Sequence, residues 1–308
     1  MTNSTHVPLF KLAVYSDTGL LRYFYFLLLL CLYVLIICAN VAVMVLICVS
    51  RSLREPMYVF LCSLFVNELC GSAALFPSLL VQVLSDVHTV SAYFCYTQIY
   101  FLHSYGTVEY ISLAVMSYDR YLAICCPLQY STRMTSKRIG LLIAAAWSYG
   151  LLSCLIMICL SSSLQLCGDI IYKVYCDNYS VVKLSCSDTT LINISGLISS
   201  LSTVGVPLVF ILFTYIKILG VCFSGSKQTR QKAVATCSPH IASVLNFSFG
   251  ASFELIQARS TMSSVPLMLR IFLSLYWLLC QPLFNPLVYG LNLSKIRILC
   301  KSLLFAKT

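Results

Sequence analysis

Charge is what this sequence has least of. Only 10% of its 308 residues are Asp, Glu, Lys or Arg, while 59% are hydrophobic. Its mean hydropathy is +0.89. A soluble domain carries about 25% charged residues, so a single water-soluble core is excluded and repeated membrane spans are implied. Acidic residues are the scarcer half, and the formal net charge is +10. Nucleic acid is a poor explanation of that excess, because the basic residues fall in short clusters between apolar runs. Other things are missing too. No closely spaced cysteine pair has the His or Cys partners of a zinc site. No catalytic triad, phosphate loop or metal cluster is present, which argues against an enzyme. The two halves show neither the repetition nor the matched broken helices of a transporter. The N-terminus lacks a basic stretch before an early apolar core, so no cleavable signal peptide is expected and the first span serves as insertion signal. Cysteine is plentiful at 17, and most copies sit within apolar runs, where they act as small hydrophobes.

Seven apolar runs are each long enough for about 20 membrane residues. They lie near 23–49, 57–84, 93–118, 138–161, 190–221, 233–257 and 265–290. The third and sixth are weakest in hydropathy because each carries a polar stripe, and such a stripe faces other helices or a cavity. Arg51, Arg54, Arg133, Lys137, Arg138, Lys227, Arg230, Lys232, Lys295, Arg297, Lys301 and Lys307 all fall on one side of a seven-span chain. The N-terminus is therefore expected outside and the C-terminus in the cytoplasm. The expected fold is an all-α membrane protein, a seven-transmembrane helix bundle with a short cytoplasmic amphipathic helix. Residues 1–22 read as an extracellular tail, 23–290 as the bundle, and 291–308 as the amphipathic helix and tail. Asn3 opens a glycosylation sequon in the outer tail.

The motif with most information is Met116-Ser-Tyr-Asp119-Arg120-Tyr121-Leu-Ala-Ile-Cys-Cys-Pro127-Leu-Gln-Tyr130. An adjacent acid and base is costly at mid-bilayer and cheap at its edge, so the third span reaches water here. Pro127 then closes the helix. Lys232-Ala-Val-Ala-Thr-Cys-Ser-Pro239-His240 opens the sixth span, with a proline that can kink it. Pro282-Leu-Phe-Asn285-Pro286-Leu-Val-Tyr289 closes the seventh, where Pro286 breaks a backbone bond and Asn285 can satisfy the freed groups. These three stretches, with Pro56-Met57-Tyr58, Asn40, Pro207 and the three cysteines of the loop 162–189, resemble the odorant receptors, a family of rhodopsin-like G-protein-coupled receptors. The resemblance covers residues 23–300. Two departures stand out: Glu68 where most relatives have Asp, and Ser248 where many have Tyr.

The resemblance implies several roles. Asp119, Arg120, Tyr121, Tyr215, Lys232, His240, Asn285, Pro286 and Tyr289 would serve activation and G-protein coupling. Four cysteines in an oxidising loop region allow three connectivities by sequence alone; the resemblance selects Cys95–Cys176 and Cys167–Cys186. A small odorant would bind between helices three, five, six and seven. That names His103, Gly106, Thr107, Ser199, Thr203, Ser248, Ala251, Leu255 and Leu278, each of which could instead be plain helix packing. Arg259, near the outer end of span six, would either hold a ligand carboxylate or reach out to water. Its replacement by Ala separates the two. The mid-membrane acids Glu68 and Glu109 would either share a sodium ion or a proton, or hydrogen-bond as neutral carboxyls. No other cofactor is implied. The expected function is odorant-driven activation of a stimulatory, olfactory-type G protein, with cyclic AMP as output, at the plasma membrane. Alternatives are a rhodopsin-like receptor for another small ligand and, further off, a transporter or channel.

Overall fold

Inside a bilayer no water is available to the backbone, so each apolar run must bond its own N–H and C=O groups and becomes a helix. The structure, a computed structural model, describes residues 9–15, 19–50, 53, 55–259 and 265–292, without the side chains of 229, 232, 258, 259, 291 and 292. The bundle helices are α1 (Leu21–Val49), α2 (Pro56–Leu84), α3 (Ala92–Cys125), α5 (Ser136–Ser162), the pair α7 (Thr190–Ser200) and α8 (Val206–Ser224), α9 (Lys227–Arg259) and α10 (Leu267–Asn292). Two short helices, α4 (Pro127–Arg133) and α6 (Asn178–Val182), lie in connections. Five of the long helical segments are long and apolar enough to cross a membrane. The two that fall short are α3 and α9, the polar-striped pair. Their stripes turn inward: Glu109, Ser117 and Asp119 of α3 and His240 and Ser243 of α9 are all fully buried.

Proline sets several boundaries. Pro56 and Pro127 open α2 and α4 in the first turn, where a missing N–H is harmless. Pro207 opens α8, and the turn before it, Leu201–Gly205, widens to a π-helical turn. Pro239 lies within α9, which runs on through it. Pro286 leaves the carbonyl of Pro282 without its helical donor. Asn40 of α1 supplies the donor at 2.9 Å, so the freed group is satisfied by α1 and not, as the sequence suggests, by Asn285.

Small residues fix the closest helix crossings. A Cβ on Gly71 would lie 2.6 Å from the Tyr105 ring, joining α2 to α3. A Cβ on Gly250 would lie 2.7 Å from the Cβ of Trp277, joining α9 to α10.

The sequence reading treats residues 1–22 as a plain tail, but Leu9–Leu12 form a strand, β1. It pairs antiparallel with β2 (Thr89–Ser91) and parallel with β3 (Ile170–Ile171). Strand alternation sends Phe10 and Leu12 into the core with Val90, Ile171 and the Cys95–Cys176 disulfide. Tyr15 adds a bond to the carbonyl of Val174 at 2.8 Å. One end of the bundle is thereby capped by a small sheet and the loop 162–189. The expected amphipathic helix after residue 292 and the Asn3 sequon lie outside the described residues.

Candidate ligand cavity and activation network

Beneath the capped end lies a cavity of about 190 Å³. Helix α3 contributes His103, Gly106, Thr107 and Tyr110; the wide turn before Pro207 brings in Thr203 and Val204; Ser199, Ala251, Leu255, Phe247, Glu254 and Trp277 complete much of the wall. The loop closes the top with Asp177, Asn178 and Tyr179. Asn178 also begins a sequon; it is half-buried on the cavity wall.

Seven of the ten sequence-named residues border this cavity. Ser248 and Leu278 do not, and the reason is the same for both. Their chain neighbours Phe247 and Trp277 occupy the wall, and one residue is a rotation of about 100° around a helix. Leu278 instead packs in the core with Tyr105, Leu113 and Phe247. The side chain of Arg259 lies outside the described residues. Sequence reasoning missed Asp177, Glu254, Trp277 and Tyr110. Glu254 carried a signal, being an acid inside an apolar span.

The loop is held by two disulfides and one charge cluster. Cys95 joins Cys176 and Cys167 joins Cys186. Lys173 pairs with Glu254 of α9 and lies 3.4 Å from Asp177. Tyr175 donates to the same Glu254 oxygen at 3.0 Å. Burial opposes the Lys173 charge, but Asp177, Tyr175 and Glu254 outweigh it and hold the ammonium above the ordinary lysine value. Burial likewise pushes Asp177 up; Lys173, His103 and the Ser180 bonds reverse this and leave the carboxyl below its ordinary 3.8. A depressed carboxyl contributes stability above its unfolded value, lost as pH falls through the folded one. A raised lysine contributes fully below its ordinary 10.5 and loses that only above its folded value. The Lys173–Asp177 pair is whole across physiological pH.

Below the cavity the aromatic floor gives way to a polar network. Trp277 stacks on Tyr105 at 5.9 Å, and Phe247 lies 4.8 Å from Tyr110. Next, Glu109 accepts from Asn67 at 3.0 Å, Gln281 at 3.3 Å and Asn285 at 3.2 Å. Asn285 also bonds Glu68. Ser243 donates to the Asn285 carbonyl at 2.7 Å. One oxygen of Glu68 is buried with no partner. The two acids that the sequence places mid-span therefore share one amide.

Farther along, His240 Nε2 lies 2.9 Å from the carbonyl of Leu113, an acceptor only, so that nitrogen donates. The neutral ring then accepts the Tyr215 hydroxyl at its Nδ1, 2.7 Å away. At the far end Arg120 pairs with Asp119, whose other oxygen accepts the Tyr130 hydroxyl at 2.8 Å. Tyr289 is fully buried near Met116 and Leu64. Tyr121 is half-buried, and the Lys232 side chain lies outside the described residues.

Seven helices, a capped cavity at one end and a buried acid–base pair at the other define a rhodopsin-like receptor bundle. The fold agrees with that of squid rhodopsin at a TM-score of 0.75 and 17% identity, over 94% of this chain and 82% of that one. The family model described as Olfactory receptor matches residues 29–307. Olfactory receptor 5F1 of Homo sapiens is 34% identical over 96% of this chain and 94% of its own length. Olfactory receptor 4B13 of Mus musculus is 34% identical over 88% of each chain. The chain belongs to the olfactory receptor family, whose members are signalling receptors and not enzymes.

Proposed function

We propose that this chain is an odorant receptor whose capped cavity takes a small activating molecule. Ligand seated there favours an arrangement in which the Asp119–Arg120 end opens to a stimulatory, olfactory-type G protein, and cyclic AMP rises. The N-terminus and the capping loop face outside; the Arg120 end and C-terminus face the cytoplasm of a cell whose plasma membrane the chain crosses. The observation that carries this reading is the continuous path from cavity wall to ion pair. Gly106 and Arg120 share α3, about 20 Å apart along its axis. Between them Glu109 and Leu113 are tied to α10 and α9 through Gln281, Asn285 and His240. A ligand that shifts α9 or α10 against α3 must remake those bonds, which is a population shift between two packings. Cyclic AMP in cells expressing the chain with the olfactory-type G protein tests it, against a panel of small odorants. Ser199→Phe fills the cavity and is expected to abolish every response at equal surface density. Responses that persist in that variant would place the ligand elsewhere.

Glu68 and Glu109 suit a shared sodium ion or proton. Two carboxylates bridged by one amide call for a compensating positive charge, and the unpartnered Glu68 oxygen is a free ligand position. Replacing external and internal sodium with a large organic cation should shift the activation curve about tenfold if the ion favours the inactive packing by about 1.4 kcal/mol. Glu68→Gln should remove that dependence. A curve that ignores both sodium and pH sinks the shared-ion idea.

A further inference from the structure

We propose that the cavity selects a protonated amine, seated against Glu254. This rests on the reading that the cavity holds the activating ligand, and it names the ligand's chemical class.

Charge comes first. Among the described residues around the cavity, two carboxylates, Asp177 and Glu254, face one ammonium, Lys173. These three groups sum to one negative charge in excess; His103, with Nε2 4.0 Å from Asp177, adds a positive charge only when protonated. Hydrogen bonding points the same way. Lys173 and Tyr175 each donate to Oε1 of Glu254. Oε2 of Glu254 is buried with no partner, and so is Oδ1 of Asn178 on the same wall. Both are acceptors; the same wall also leaves the Trp277 Nε1–H, a donor, and the Tyr110 hydroxyl, which accepts or donates, without a partner. A buried acceptor without a donor is unfavourable, and a buried charge without a partner more so. An ammonium group supplies the charge and the N–H donors together. An alcohol supplies one donor and leaves the charge. A carboxylate adds a third negative group to the wall.

The rest of the cavity suits the remainder of such a molecule. Tyr110, Phe247, Trp277 and Val204 offer an apolar and aromatic surface for a hydrocarbon chain or ring. The Lys173–Glu254 pair also anchors the loop, so Glu254 has a structural task. That task would affect all ligands equally, whereas the charge argument concerns amines alone.

The test uses the full chain in cells with the olfactory-type G protein, and the probes are benzylamine and hexylamine beside the alcohols and acids of the same skeletons. Amines should act at the lowest concentrations. Glu254→Gln should raise the half-maximal amine concentration by at least about 30-fold more than it raises that of the matched alcohols, the scale expected when a buried charge pair loses one member. Glu254→Asp should recover much of the loss. A measurement without any variant guards against misfolding: benzylamine should raise the Tm of the purified receptor more than benzyl alcohol does. Activation by acids or alcohols but not amines overturns the amine assignment and leaves the cavity reading standing. Amine responses that ignore Glu254→Gln overturn it as well. So does silence toward every amine from a chain at the surface, or an equal Tm rise with both benzyl compounds. Amine responses that survive Ser199→Phe instead remove the cavity reading itself, and this assignment with it.

Discussion

Gly250→Ala is expected to strip most folded receptor from the membrane, while Gly220→Ala leaves the amount unchanged. The two substitutions are chemically identical and differ in what the added methyl meets. At Gly220 nothing lies within 4 Å. At Gly250 the new Cβ would stand 2.7 Å from the Cβ of Trp277, 2.9 Å from its Cα and 3.0 Å from the Tyr276 ring. The first two contacts cannot rotate away, because a Cα and a Cβ move only with the helix. Helix α9 must then retreat from α10 at the level of the cavity. Overpacking of this kind costs typically about 1–3 kcal/mol, and a shift of backbone puts it at about 3 kcal/mol or more. The same displacement pulls apart Asn246 and its partners Gln281 and Tyr276, each now at 2.6 Å. Surface labelling and the Tm of the purified protein measure the loss. Equal amounts and equal Tm for the two variants would mean that α9 and α10 do not meet at Gly250.

Asp119→Asn is expected to raise basal cyclic AMP about tenfold, and Arg120→Ala to silence the chain. Asp119 is fully buried, and Arg120 nearly so. Breaking a buried pair by removing one partner costs about 3–5 kcal/mol. If even about 1.4 kcal/mol of that falls on the inactive packing alone, the equilibrium moves tenfold. The freed guanidinium is then available to a G protein. Tyr130→Phe removes only a hydroxyl donor from the same carboxylate. One hydrogen bond contributes about 1 kcal/mol net, so its rise should be smaller, about fivefold. An Asp119→Asn chain that reaches the surface with unchanged basal output would show that the pair does not restrain activation.

The fold was legible because the bilayer leaves few choices. Seven apolar runs and one-sided basic clusters suffice for helix number and order. The polar stripes of the third and sixth runs point correctly to the middle of the bundle. Other features were not legible because they depend on distant partners. Leu9–Leu12 has no strand pattern beyond alternation, and it becomes a strand only because Thr89–Ser91 and Ile170–Ile171 offer it edges. Asn40 reaches the carbonyl freed by Pro286, 242 residues away in sequence from its own position to Pro282, and no local motif announces that.

The cavity shows the same division. Spacing on α3 was enough to group His103, Gly106 and Thr107 on one face. On α9 and α10 the cavity is lined by Phe247 and Trp277, one residue before the Ser248 and Leu278 named from the sequence. Family position fixes a helix's place in the bundle more firmly than its rotation. Asp177 belongs to a loop whose course depends on the Cys95–Cys176 bond, so its arrival beside Glu254 could not be read from periodicity.

The most direct measurement of the central claim is odorant-evoked cyclic AMP in cells that display this chain with an olfactory-type G protein, with Arg120→Ala run beside it at matched surface density. The account predicts a concentration-dependent rise to at least one small compound and none in the variant. A response of equal size in Arg120→Ala, or a ligand-gated current that needs no G protein, would contradict it.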